Sequence, residues 1–294
     1  MVVSDRAFRN RDCNSIRPTG FTIFELLVAI AVISILLALI VPAVMKSRMA
    51  AQRFRCSSQL RQICLAAANY ESTFGAFPSG VFFRQIRPYA EVSAELGDVV
   101  LFACPSDLSH ANGNASEGKM SFAVNDGLGA SGQEFRGIVP LRGKTTAASE
   151  ITDGLSNTAM IAERLSFPWY APQSVAWNER RGDWKRTFIY FSVIARTPEE
   201  FCKLCLNGSN RPIGTWVYTD KYQHLLPPNS SSCVLADSSG VGSGVDFGIG
   251  AAAGSVHDGG AFVGSCDGAV RFVSNEISTP VWQAQGTKSG GEPF

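Results

Sequence analysis

The chain has 294 residues, eight cysteines and a formal net charge of +1. That length accommodates a membrane segment and one sizeable soluble domain, and long charge runs, low-complexity tracts and internal repeats are absent. The charge is uneven: residues 46–61 hold Lys46, Arg48, Arg53, Arg55 and Arg61 and no acid, while residues 62–294 sum to −5, a mildly acidic remainder that argues against nucleic acid as a partner.

The first twenty residues are basic, with Arg6, Arg9, Arg11 and Arg17 against Asp5 and Asp12. An apolar run follows, and from Leu26 to Met45 only Ser34 and Pro42 interrupt it. As a helix it spans about 30 Å, the thickness of a bilayer core. A secretory leader would be cut after this run beside small residues. Here the run ends in Met45-Lys46-Ser47-Arg48, and Pro42-Ala43-Val44 is the nearest approach to such a site. Glu25 stands at the lip of the run. A charge at the centre of a bilayer costs roughly 2.5–3.5 kcal/mol and less near its edge, so Glu25 either snorkels into the headgroups or has a partner. Counting Lys and Arg on the two flanks does not decide the orientation.

Arg17 to Met45, a basic leader ending in Gly20 followed by Phe21-Thr22-Ile23-Phe24-Glu25 and the apolar run, resembles the type IV prepilin class, including the pseudopilins of type II secretion. The resemblance implies that prepilin peptidase cuts between Gly20 and Phe21 and methylates the new amine of Phe21. It also implies a cytoplasmic leader, pairing of Glu25 with the N-terminal amine of a neighbouring pilin-like subunit, and a helix bend at Pro42.

Beyond the run, Met45, Met49, Cys56, Leu60, Ile63, Ala67 and Tyr70 recur at helical spacing. One helix from Phe21 to Tyr70 is therefore predicted, with Gly75, Pro78 and Gly80 as stop signals. This divides the chain into a leader at 1–20, a transmembrane segment at 21–45, an amphipathic helix at 46–74, a soluble head at 75–281 and a flexible tail at 282–294. In the head, Thr187–Ile194, Thr215–Thr219 and Gly268–Val273 read as strands. Asn125-Asp126-Gly127 and Asp153-Gly154 read as turns. Asp267-Gly268 suits a hairpin between Ala261–Ser265 and Ala269–Val273, and Gly259-Gly260 suits a tight path with positive φ. The fold class expected is α+β, a long N-terminal helix packed on an antiparallel sheet.

Four head segments, taken together, carry a second resemblance. These are Arg55-Cys56-Ser57-Ser58-Gln59-Leu60-Arg61-Gln62-Ile63, Phe102-Ala103-Cys104-Pro105-Ser106-Asp107, Ile151–Thr158 running into Glu163-Arg164, and Ser255-Val256-His257-Asp258-Gly259-Gly260 with Cys266–Val273. In that order they resemble the planctomycete-type family of prepilin-like proteins carrying domain of unknown function 1559. Cys266 and Asp258 depart from the alanine and proline expected there. The family supplies an architecture without an established biochemical activity.

His257 could serve as a base or a ligand, but with only three histidines and no His-x-x-x-His cluster no metal site and no cofactor is predicted, and a turn role for His257 is the simpler reading. A Ser156, His257, Asp153 hydrolase lacks a Gly-x-Ser-x-Gly elbow, so no catalytic residue is assigned. Asp153 and Asn157 are expected to fix a turn or cap a helix starting near Ser156. The Asp/Asn-rich loops lack an EF-hand pattern. Eight cysteines point to an oxidising compartment. Cys56 and Cys64 lie about 12 Å apart along one helix and cannot pair. Cys56–Cys104 is the bridge expected to tie helix to head, and the Cys202-x-x-Cys205 pair reads as a structural disulfide, internal or to Cys233.

Together these features predict a non-enzymatic pilin-like or pseudopilin-like subunit. It would be single-pass in the cytoplasmic membrane, with its head in the periplasm or at the cell surface and the head's ligand unspecified. The alternatives are a monomeric membrane-anchored extracytoplasmic binding protein and, last, a surface hydrolase.

Overall fold

The computed structural model describes residues 22–90, 99–107, 120–128, 137–139, 145–165, 188–191, 198–207, 212–213, 220–235 and 249–291. Two compact units divide the chain, Met1–Arg48 and Met49–Phe294.

In the first unit the described residues belong to the start of helix α1, Ile23–Phe74. It is long and apolar enough to cross a membrane, and from Ile23 to Val44 its Leu, Ile and Val side chains are exposed in the isolated chain. Pro42 lies inside the helix, where it removes one backbone donor, and the Ser34 hydroxyl donates to the Ile30 carbonyl at 2.7 Å.

Residues 49–74 of α1 belong to the second unit, where Cys56, Leu60, Ile63, Cys64, Ala66 and Ala67 are buried and Tyr70 packs against the same core. The predicted stripe is thus buried from Cys56 onward, while Met45 and Met49 are exposed. The helix stops at Gly75, which takes φ +72° and donates its amide to Glu71 O, a C-terminal glycine stop.

The head is α+β and carries two sheets. Strands β1 (Phe122–Asn125), β2 (Ala159–Glu163), β5 (Lys221–Tyr222), β8 (Gly260–Ser265) and β9 (Val270–Ser274) form the larger, in the order β5-β1-β2-β8-β9. Strands β3 (Phe188–Phe191), β4 (Pro212–Ile213), β6 (Ser232–Leu235) and β7 (Ile249–Gly250) form the smaller, in the order β4-β3-β6-β7. Most strand pairs are antiparallel, as expected, and two are parallel, β1 with β5 and β3 with β6. In each pair the long connection between the two strands permits a crossover that a tight hairpin would forbid. The β8–β9 hairpin runs in register from Gly260↔Ser274 to Gly264↔Val270. The Thr187–Ile194 expectation corresponds to β3, and Thr215–Thr219 lies outside the described residues.

Helix α1 crosses this sheet at β8. A Cβ on Gly264 would collide with Cys64 Sγ, so glycine there permits the close approach. On β9, Phe272 lies beneath the Arg53 guanidinium, 3.8 Å from the ring centroid, a cation–π contact from the same helix.

The loose tail expected from Trp282 onward is also corrected. Trp282 is fully buried within a short helix at Thr279–Ala284. Farther along, Lys288 pairs with Glu150 at 2.9 Å, and Gly290 and Gly291 donate to the Asp153 carboxylate. A run of glycines reads as loose, yet one buried indole and three polar anchors hold it to the head.

Candidate functional site

Four motif residues from four separate places in the chain meet in one buried spot. Cys56 comes from α1, Cys104 from the segment after a helical turn at Val99–Phe102, Glu163 from the end of β2, and His257 from the turn entering β8. Cys56 and Cys104 form a disulfide with their Cα atoms 5.0 Å apart. His257 Nε2 lies 3.4 Å from Glu163 Oε1 and 4.0 Å from Cys104 Sγ. One ligand-type atom from each of the four residues falls within 4.8 Å of every other, and all four residues are buried.

The surrounding backbone explains the convergence. Phe102 O accepts from Ser121 N, and Ser121 O accepts from Arg164 N, so the Cys104 segment is laced to the end of β2. Glu163 Oε2 accepts the Phe262 amide of β8 at 2.9 Å. Its other oxygen, Oε1, has no hydrogen-bond partner and faces His257. A buried carboxylate oxygen without a donor is costly. The His257 loop is held from below by Asn229, whose amide donates to Gly260 O and Asn275 Oδ1 while its Oδ1 accepts Ser255 N. Asn229 takes φ 61° and is buried. Ser255 Oγ accepts the His257 amide at 3.0 Å, and Phe262 meets the imidazole edge-on.

The remaining sequence-predicted positions fall elsewhere. Gly154, Gly259 and Gly268 take φ of +94°, +82° and +84°. At Gly260 the pressure is different, because a Cβ there would strike Val273 O. Asp267 Oδ1 accepts the Ala269 amide at 3.0 Å in the β8–β9 turn. Asp153 and Asn157 shape a turn with no helix at Ser156: Asn157 Nδ2 donates to Asp153 O, and β2 begins at Ala159. The Asp153 carboxylate accepts from Gly290 and Gly291, His257 faces Glu163, and the Ser156 backbone carbonyl accepts from Arg271; none of these contacts joins the three to one another. Gly20 and Phe21 lie outside the described residues. Glu25 does not stand alone: Oε2 accepts from both the amide and the hydroxyl of Thr22 at 2.9 Å, while the Glu25 amide donates to Thr22 Oγ1. This is a capping box at the N-terminus of α1, legible as Thr-x-x-Glu, a third role beside the snorkelling and assembly readings of Glu25.

One further group escaped the sequence reading. His224 is fully buried, stacked on Trp282 with centroids 3.8 Å apart. Its Nδ1 faces Trp282 O at 2.9 Å, and its Nε2 faces the Tyr222 hydroxyl at 2.7 Å. A carbonyl only accepts, so Nδ1 carries the proton and Nε2 accepts from Tyr222. Burial pushes this imidazole from 6.5 down to about 3. A second disulfide, Cys205–Cys233, ties the helix at Pro198–Asn207 to β6. Among the described residues Cys64, Cys202 and Cys266 are unpaired and buried, and burial raises the Cys64 and Cys266 thiols far above their ordinary range.

The family described as "Protein of unknown function (DUF1559)" matches residues 45–88 and 84–279, and the prokaryotic N-terminal methylation motif matches residues 17–41. No curated protein and no solved structure matches the chain.

Proposed function

The chain belongs to the DUF1559 family, and we propose that it works as a pilin-like or pseudopilin-like subunit whose role is structural. The carrying observation is the methylation motif at residues 17–41, set on a helix apolar enough to span a bilayer and backed by a head covering most of the chain. Prepilin peptidase removes residues 1–20 and methylates Phe21. The helix anchors the subunit in the cytoplasmic membrane, with the head in the periplasm or at the surface. Neighbouring subunits pack through their apolar helices, and Glu25 of one meets the Phe21 amine of the next. A helical segment whose large apolar side chains, Ile23 to Met49, are exposed in the isolated chain needs lipid or other helices to cover it, and the prepilin route supplies both in turn.

The test is the mature N-terminus, determined by mass spectrometry on protein from cells with active prepilin peptidase. A methylated Phe21 is the expected result, and a retained leader refutes the proposal. Cross-linking between helices on intact cells then separates a filament subunit, which gives adducts, from a monomeric anchored protein, which gives none.

A further inference from the structure

We propose that Cys56, Cys104, Glu163 and His257 form a binding site for a thiophilic divalent cation of the zinc type when the Cys56–Cys104 bridge is reduced, so that disulfide and metal are alternative closures of one junction.

The donor set is the first argument. Two sulfurs, an imidazole nitrogen and a carboxylate oxygen make a four-ligand complement of the kind zinc takes. Ligand atoms held about 2.0–2.3 Å from such an ion lie roughly 3.3–3.8 Å from one another. The His257–Glu163 pair already stands at 3.4 Å and the Cys104–His257 pair at 4.0 Å, and all four donors fall within 4.8 Å. The second argument is Glu163 Oε1, buried, without a hydrogen-bond donor, and turned toward the other three groups. A cation at the centre of the four would satisfy it.

The chemistry balances in two steps. A dithiol passes two electrons and two protons to the bridge, which opens to two thiols while the reductant becomes a disulfide. The cation then binds both sulfurs as thiolates, and two protons leave to solvent. Because the four side chains are buried, uptake accompanies folding of the reduced chain. The metal-bound form would hold α1 to the head until a disulfide oxidant takes two electrons from the two thiolates and two protons from solvent, becoming a dithiol, while the Cys56–Cys104 bond closes and the cation leaves. This proposal does not depend on filament assembly.

Full-length protein in detergent, reduced with a phosphine, is titrated with Co2+ as a spectroscopic stand-in for Zn2+. The expected result is a thiolate-to-cobalt charge-transfer band with the visible bands of four-coordinate cobalt, bleached by Zn2+ and absent before reduction. His257→Ala and Glu163→Gln should each weaken binding at least about tenfold. On the reduced wild-type chain, Zn2+ should shield Cys56 and Cys104 from alkylation as read by peptide mapping, a measurement that needs no variant to fold. Absence of the charge-transfer band overturns the proposal. So does protection confined to Cys202, Cys205 and Cys233 with Cys56 and Cys104 alkylated.

Discussion

Glu25 shows how one residue can satisfy two demands. Within a single chain it closes the capping box with Thr22; in the proposed assembly its charge would be available to a neighbour's amine. Glutamine preserves the box but not the charge, so the two roles separate cleanly. Glu25→Gln should leave helix content and membrane insertion unchanged while sharply reducing incorporation into filaments, scored by sedimentation or microscopy; normal incorporation would leave Glu25 as a cap alone. His224 makes a different residue-scale prediction. Its folded value of about 3 lies below the ordinary 6.5, so between those pH values the unfolded chain binds the additional proton. The contribution of His224 is full above about pH 6.5 and is lost as pH falls toward 3, by up to about 1.4 kcal/mol per pH unit. Unfolding curves across that window should show this slope in the wild type and a shallower one in His224→Phe.

At the scale of elements, helix α1 and the β8–β9 hairpin were legible because each repeats a strong local signal, the helical stripe from Cys56 to Tyr70 in one and a turn at Asp267-Gly268 between apolar runs in the other. Strand β2 was not. Ala159-Met160-Ile161-Ala162-Glu163 is rich in helix formers, and it becomes a strand because all five residues are buried with β1 on one side and β8 on the other, a case of context overriding propensity. The helix-on-sheet contact is testable at Gly264, where an added methyl meets Cys64 Sγ and also approaches Leu60. Gly264→Ala should cost about 1–3 kcal/mol, as overpacking does, measured by denaturant unfolding. Cys64→Ala in the same chain should recover part of that loss; equal stability of Gly264→Ala and wild type would show that the helix can shift aside freely.

For the head as a whole, the Cys56–Cys104 bridge spans 48 residues of sequence and joins α1 to the start of the β-rich region. Constraining a loop of that length in the unfolded chain is worth about 4 kcal/mol in the chain-entropy account, and often less when measured. Oxidised Cys56→Ser/Cys104→Ser protein should therefore unfold at lower denaturant by about 2–4 kcal/mol, with the Cys205–Cys233 bridge still intact on peptide mapping. The C-terminal segment belongs to the same scale: Asp153→Ala removes both carboxylate contacts to Gly290 and Gly291, and amide exchange at those two residues should quicken while the β8–β9 hairpin stays protected.

The sequence by itself determined the delivery segment, the long helix, the α+β class and the family, because these rest on patterns confined to contiguous residues or on motifs in a set order. It paired Cys104 with Cys56, but it could not reveal that Glu163 and His257 meet there too, nor that Trp282 is buried against His224. Those groups lie far apart along the chain, and a lone His or Glu looks the same in a sequence whether it faces solvent or a partner. Only the tertiary structure, by stacking α1 on β8 and holding the His257 loop on Asn229, brought Glu163 and His257 beside the Cys56–Cys104 pair and left one carboxylate oxygen facing His257 with no hydrogen bond of its own.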